Sequence, residues 1–208
     1  MCIRDSIPPY LASKVIILLG FGLIQCALLL LVMRLRVAYP GDGVLLPAVV
    51  EMYITLVLAT LASIALGLLI SAVVRSQSTV IYIILVVLFM QIIFAGAIFE
   101  IPAAARPLSY LTTTRWTLEA LGSSVDIERL NAQGGGCLEP EQPLPAGLSP
   151  VAEGYCQDGQ TALPPALTFN VSYEHSPGHL LFAWLVLLGY AATFLGLTVA
   201  IQRRKDVV

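Results

Sequence analysis

The sequence predicts an all-α membrane protein, and three observations carry that prediction. Hydrophobic residues make up 58% of the 208 residues against 12% charged, and the mean hydropathy is +0.86, too apolar for an ordinary soluble domain. The apolar residues fall into four long runs, each near the ~20 residues needed to cross roughly 30 Å of hydrocarbon. The ionisable groups sit between those runs, so the net charge of −2 conceals an uneven distribution. No basic surface large enough to hold nucleic acid emerges.

The first six residues, Met1-Cys-Ile-Arg-Asp-Ser6, fit poorly with the rest of the chain and read as an assembly artefact, outside the fold proper. A secretory signal is the weaker reading. The apolar run from Val15 to Met33 exceeds a usual signal core and has no small-x-small cleavage site behind it.

The first span is expected over residues 12–32, with Lys14 at the aqueous boundary. Its one strongly polar interior residue is Gln25. An amide in lipid needs a partner, so Gln25 is expected to face another helix, as packing glue or as part of a substrate path. The turn cluster Tyr39-Pro-Gly-Asp-Gly43 then leads into a second span over 49–74. Ala59, Ser63, Gly67 and Ser71 recur there at every fourth position, a stripe of small residues against which a neighbouring backbone is expected to lie. Glu51 stands near the start of this span, where a carboxylate costs less than at the bilayer centre; it reads as a boundary residue or a functional one.

Arg75-Ser-Gln-Ser78 is a tight connection into a third span over 79–99, forming an antiparallel hairpin with the second. Gln91 is its only strongly polar interior residue. Phe94-Ala-Gly-Ala-Ile-Phe99 sets small residues between bulky ones near the outer end, a pattern that suits a constriction or ordinary packing. Residues 102–129 are expected to form short interfacial helices, with Tyr110 and Trp116 at the membrane boundary.

An extracytoplasmic loop rich in Gly and Pro comes next, over about 130–178. It holds Cys137 and Cys156, a candidate disulfide if the loop lies outside the cytoplasm. The chain-entropy model gives such a ring roughly 3 kcal/mol. His175 and His179 stand apart from these cysteines and read as an interfacial pair, so no metal site is expected. Asn170-Val-Ser172 matches a short glycosylation acceptor.

The fourth span is expected over 180–201 and ends in Gln202-Arg-Arg-Lys205, with Ala192, Gly196 and Ala200 as a second small stripe. The positive-inside rule puts this end in the cytoplasm. Four spans then put the N-terminus there too and the cysteine loop outside, although Arg34, Arg36 and Arg106 also fall outside. No phosphate-binding loop, nucleophile elbow, His-Glu-x-x-His or Cys-x-x-Cys occurs. Glu119, Asp126 and Glu128 read as helix-surface or loop charges, so no catalytic site is expected.

The order of these segments resembles a known family. Tyr10-Leu-Ala-Ser-Lys14 entering a span, Gly67-Leu-Leu-Ile-Ser71 before a basic turn, Phe94-Ala-Gly-Ala-Ile-Phe99, and above all Leu108-Ser-Tyr-Leu-Thr-Thr-Thr-Arg-Trp-Thr-Leu-Glu-Ala-Leu121 look like the C-terminal part of a type 2 ABC exporter permease. The likeness is to the ABCG-like (White) branch, including bacterial chains that fuse ATPase and permease. It implies that the four spans are the last four of six, that 102–129 forms re-entrant helices, and that the loop is an external lid.

The resemblance further implies a substrate cavity at a dimer axis, with Phe89, Met90, Ile93 and Phe94 as lining candidates. Ala97 and Ile98 stand where relatives carry an apolar plug, and the alanine here weakens that seal. It implies a second permease copy, a nucleotide-binding domain in the same full-length chain or a separate subunit, and ATP and Mg on that domain, with no cofactor held by this segment. The expected location is the bacterial inner membrane, in contact with lipid. The competing reading is a non-transport scaffold or sensor presenting the external loop.

Overall fold

The computed structural model describes residues 7–36, 43–74, 76–96, 106–127, 137–138, 161–162 and 173–205. Its helices are α1 (Ile7–Arg34), α2 (Ala48–Val73), α3 (Gln77–Phe94), α4 (Arg106–Ser109), α5 (Thr113–Ser124) and α6 (Pro177–Lys205). One pair of two-residue strands, β1 (Cys137–Leu138) and β2 (Thr161–Ala162), runs antiparallel with Cys137 opposite Ala162. Among the described residues, three segments are long and apolar enough to cross a membrane: Leu11–Arg34, Ala48–Val73 and Pro177–Arg204. The protein is a helical integral membrane protein.

The best-packed seam joins α2 to α6. On α2 the buried positions are Ala48, Glu51, Thr55, Ala62, Ala65 and Ala72, and on α6 they are Leu180, Ala183, Leu187, Ala191 and Thr198. Both sets advance in steps of three, four or seven, which keeps them on one helical face. Leu180, Ala183 and Leu187 cluster with Trp116 and Ala120 of α5, and Leu58 of α2 packs against them. A hydrogen bond crosses the seam from Trp184 Nε1 to Thr55 Oγ1 at 2.8 Å.

This seam corrects the expectation built on the small stripes. Ser63, Gly67 and Ser71 are exposed and Ala59 is half-buried, Ala192, Gly196 and Ala200 are exposed, and a Cβ added at Gly67 or Gly196 would meet nothing within 4 Å. On α2 the buried small residues include Ala62, Ala65 and Ala72, while Ser63, Gly67 and Ser71 face away from that side. A close approach does occur between α1 and α2, where a Cβ on Gly22 would come within 2.6 Å of Thr60 Cγ2. Beside it, Cys26 Sγ lies 3.4 Å from Thr60 Oγ1 and Tyr53 OH donates to Leu23 O at 3.4 Å.

α3 is shorter than its predicted span. Ser76 caps its N-terminus, the hydroxyl accepting from Thr79 N at 3.3 Å. The helix ends at Phe94 instead of running to 99, because Ala95 is the last right-handed residue and Gly96 turns to φ 77°, a conformation that favours glycine and closes helices. Its 18 residues extend about 27 Å.

The interfacial segment is also interrupted. Tyr110, Leu111 and Thr112 separate α4 from α5, since Thr112 Oγ1 donates to Ser109 O at 2.7 Å and Trp116 Nε1 to Tyr110 O at 3.0 Å, occupying carbonyls that a continuous helix would use. Ala97, Ile98, Cys156, Asn170, the first six residues and most of 130–178 lie outside the described residues, and so do the expectations placed on them.

Candidate functional site

The functional candidates gather where the outer end of α3 meets α4, α5 and the start of α6. Gln91 faces inward from α3 to the beginning of α5, where its Oε1 accepts from Thr113 Oγ1 at 3.1 Å and from Thr114 Oγ1 at 2.6 Å. One turn on, Thr112 Oγ1 lies 3.4 Å from Phe94 O. Three consecutive threonines thus hold the last turn of α3. Phe89, Met90 and Ile93 are exposed along that same stretch and Phe94 is half-buried.

Behind this clasp lies an ionic knot. Arg115 Nε donates to Glu119 Oε1 at 2.8 Å, one helical turn away, and Arg115 Nη1 donates to Ser109 Oγ. The guanidinium also rests 3.8 Å from the Tyr110 ring centroid, a cation–π contact. Both members of the pair are buried, which corrects the reading of Glu119 as a surface charge. The burial is tolerable because each charge meets its opposite and the arginine has a hydroxyl and an aromatic face besides.

The entry into α6 is tied to the same knot. Ser123 Oγ donates to Glu174 O at 2.7 Å, and His175 Nδ1 lies 2.6 Å from Ser123 O, so that nitrogen carries the proton. His179 Nε2 stands 3.9 Å from Glu119 Oε2. The two histidines therefore serve different partners on α5. Gly122 admits the ring of Tyr173, which a Cβ would strike. Burial, then the Glu119 charge, pushes the Tyr173 hydroxyl up from its ordinary pKa, with Arg115 opposing. Tyr190 OH donates to Tyr110 O at 2.7 Å, and Trp116 packs edge-on to Phe182 with ring centroids 5.5 Å apart.

The remaining polar candidates separate in position. Glu51 is fully buried at the head of α2, its carboxylate accepting from the backbone N–H groups of Val44 at 3.2 Å, Leu45 at 2.5 Å and Leu46 at 2.8 Å. It ties the preceding connection to the helix and requires Gly43, whose Cβ would come within 2.7 Å of Glu51 Oε2. Gln25 is exposed and lines a groove of about 520 Å³ with Cys26, Leu29, Ala59, Thr60 and Ser63. Among the predicted residues, then, Gln91 and the carbonyl of Phe94 meet the α5 support, Phe89, Met90 and Ile93 are exposed on α3, and Gln25 and Glu51 lie elsewhere.

Two participants escaped the sequence reading. The Thr112-Thr113-Thr114 run was a visible signal, three hydroxyls in a segment otherwise suited to an apolar boundary. The Arg115/Glu119 spacing of four was another.

Similarity to known proteins covers the same segment. The ABC-2 type transporter family matches residues 4–124, from the first residues through the end of α5. An ABC transporter ATP-binding/permease protein of Mycobacterium tuberculosis is 26% identical over 131 residues, which is 60% of this chain and 15% of that protein. The chain thus corresponds to a small part of that relative. No solved structure matches.

Proposed function

Because the chain belongs to the ABC-2 type transporter family, as the match over residues 4–124 shows, we propose that it is the permease part of an ATP-driven exporter of lipid-like or amphipathic compounds. The observation that supports the apolar-substrate reading is α3: an apolar helix of 18 residues whose Phe89, Met90 and Ile93 are exposed while its end is held by hydroxyls. Such a face suits a cavity wall better than an internal seam. The similarity to an ATP-binding/permease protein supports a nucleotide-binding domain, fused or separate, that holds ATP and Mg.

In this reading four spans, α1, α2, α3 and α6, are the last four of six, α4 and α5 are the re-entrant pair, and two copies enclose the cavity. Both termini of the segment face the cytoplasm of a bacterial inner membrane, and the cysteine loop is external. ATP binding closes the nucleotide-binding domains, and the tilt of the permease halves opens the constriction near Ala97 and Ile98 outward. Sequence and family likeness support these points.

The test is reconstitution of the full-length protein in proteoliposomes with a fluorescent amphipath. ATP-dependent transfer to the outer leaflet, reduced in a Phe89→Ala/Phe94→Ala double variant, is expected. A full-length locus with no nucleotide-binding domain, or transfer indifferent to ATP, sinks the reading and leaves a membrane scaffold or sensor in its place.

A further inference from the structure

We propose that Gln91 is a specificity-determining residue of the transport path: its side-chain amide N–H groups donate to a hydrogen-bond acceptor on the substrate. The inference rests on the export reading and adds to it the substrate feature that is recognised, a carbonyl-type oxygen on an otherwise apolar molecule.

The first question is which end of the carboxamide is held. Oε1 and Nε2 are hard to tell apart by shape, and a hydroxyl can serve as donor or acceptor. The neighbouring carbonyls decide. Thr113 and Thr114 would otherwise donate one turn back, to Ser109 O and Tyr110 O. Ser109 O already accepts from Thr112 Oγ1 at 2.7 Å and Thr112 N at 3.1 Å. Tyr110 O already accepts from Trp116 Nε1 at 3.0 Å and Tyr190 OH at 2.7 Å. The hydroxyl protons of Thr113 and Thr114 therefore go to Gln91, and the end they meet is the acceptor, Oε1.

With Oε1 fixed by two donors, the planar amide is fixed, and its NH₂ projects away from α5. No acceptor for it exists among the described residues, and Gln91 is half-buried, so the donors are accessible. On the same side of the helix, one turn back, stands Leu88, 52% exposed, and Met90 flanks it, while Phe89 and Ile93 lie on the opposite side. An unpaired donor in an apolar, membrane-level setting is unfavourable unless something accepts from it. A substrate bearing an ester, ketone or amide oxygen meets that need, and one of pure hydrocarbon does not. Hydrogen bonds between helices in lipid are worth about 0.6 kcal/mol on average and about 1.7 at most, a factor of about three to fifteen in affinity.

The experiment measures binding to the full-length transporter in nanodiscs, without ATP, by fluorescence. The probes are a pyrene-labelled long-chain methyl ester and the pyrenyl alkane of matched length. The wild type should favour the ester by about three- to fifteen-fold, and Gln91→Met should abolish the preference by weakening the ester alone. A Thr113→Val/Thr114→Val variant, which keeps the amide but releases it, should narrow the preference without removing it. An unchanged ester-to-alkane ratio in Gln91→Met overturns the assignment, as does an equal loss for both probes. A wild-type protein that binds both with no preference also overturns it and leaves export standing. A wild-type protein that binds neither also overturns it, and the export reading is then decided by ATP-dependent transfer alone.

Discussion

The α2/α6 seam and α3 are built from similarly apolar residues and are held in opposite ways. In the seam, Leu180 and Leu187 are fully buried in a cluster with Trp116 and Ala120 against which Leu58 of α2 packs, and Trp184 reaches Thr55. α3 turns Ile81, Tyr82, Leu85, Val86, Phe89 and Ile92 outward and is secured chiefly near its ends, by Ser76 at the start and Thr112 to Thr114 at the finish. In lipid, apolarity does not by itself draw helices together; close packing and hydrogen bonds do. The seam is therefore a frame, and α3 is an element that can shift against it at small cost.

The largest expected effect tests the knot that joins α5 to the frame. Arg115→Ala leaves the Glu119 carboxylate buried without its partner and should destabilise the protein by about 3 to 5 kcal/mol. An Arg115→Met/Glu119→Leu double variant, which removes both charges, should recover most of that loss. Denaturation midpoints in detergent measure both. If the double variant is no better than the single one, the knot acts through something other than an uncompensated charge.

Next come substitutions in the seam. Leu187→Ala opens a cavity in the cluster it forms with Trp116, Ala120, Leu180 and Ala183 and should cost about 3 kcal/mol, within the range for buried leucines. Glu51→Gln keeps the shape but gives up the charge-assisted bonds to the N–H groups of Val44, Leu45 and Leu46, for about 2 kcal/mol. Should both prove as mild as changes on the outer face of α3, the distinction between frame and shifting element collapses.

Those contrasts also show what the chain makes visible before folding. Long apolar runs gave the membrane helices and placed Glu51 at a helix head, since run length and flanking charges are local properties. The stripes misled because small residues occurred on two faces of α2 and α6, and only the partner helix distinguishes Ala62 and Ala65 from Ser63 and Gly67. Glu119 misled for a related reason: a carboxylate in a polar segment is indistinguishable from a surface charge until Arg115 and Ser109 are seen to enclose it. Gln91 was recognisable as anomalous, but its threonine partners lie 22 and 23 residues away.

The smallest expected effect on stability separates the two regions most sharply. Phe89 is 63% exposed, and truncating it removes few contacts within the chain. Phe89→Ala should shift the denaturation midpoint by an amount equivalent to less than about 0.5 kcal/mol, as expected for a surface position. Its effect on ATP-driven transfer of a fluorescent amphipath should nevertheless be large, because the same aromatic face would be the wall a substrate touches. Leu187→Ala provides the opposite pairing, a large loss of stability with transfer per folded molecule retained. If Phe89→Ala is silent in both measurements, the exposed face of α3 is a lipid boundary and the cavity wall must be sought on another helix.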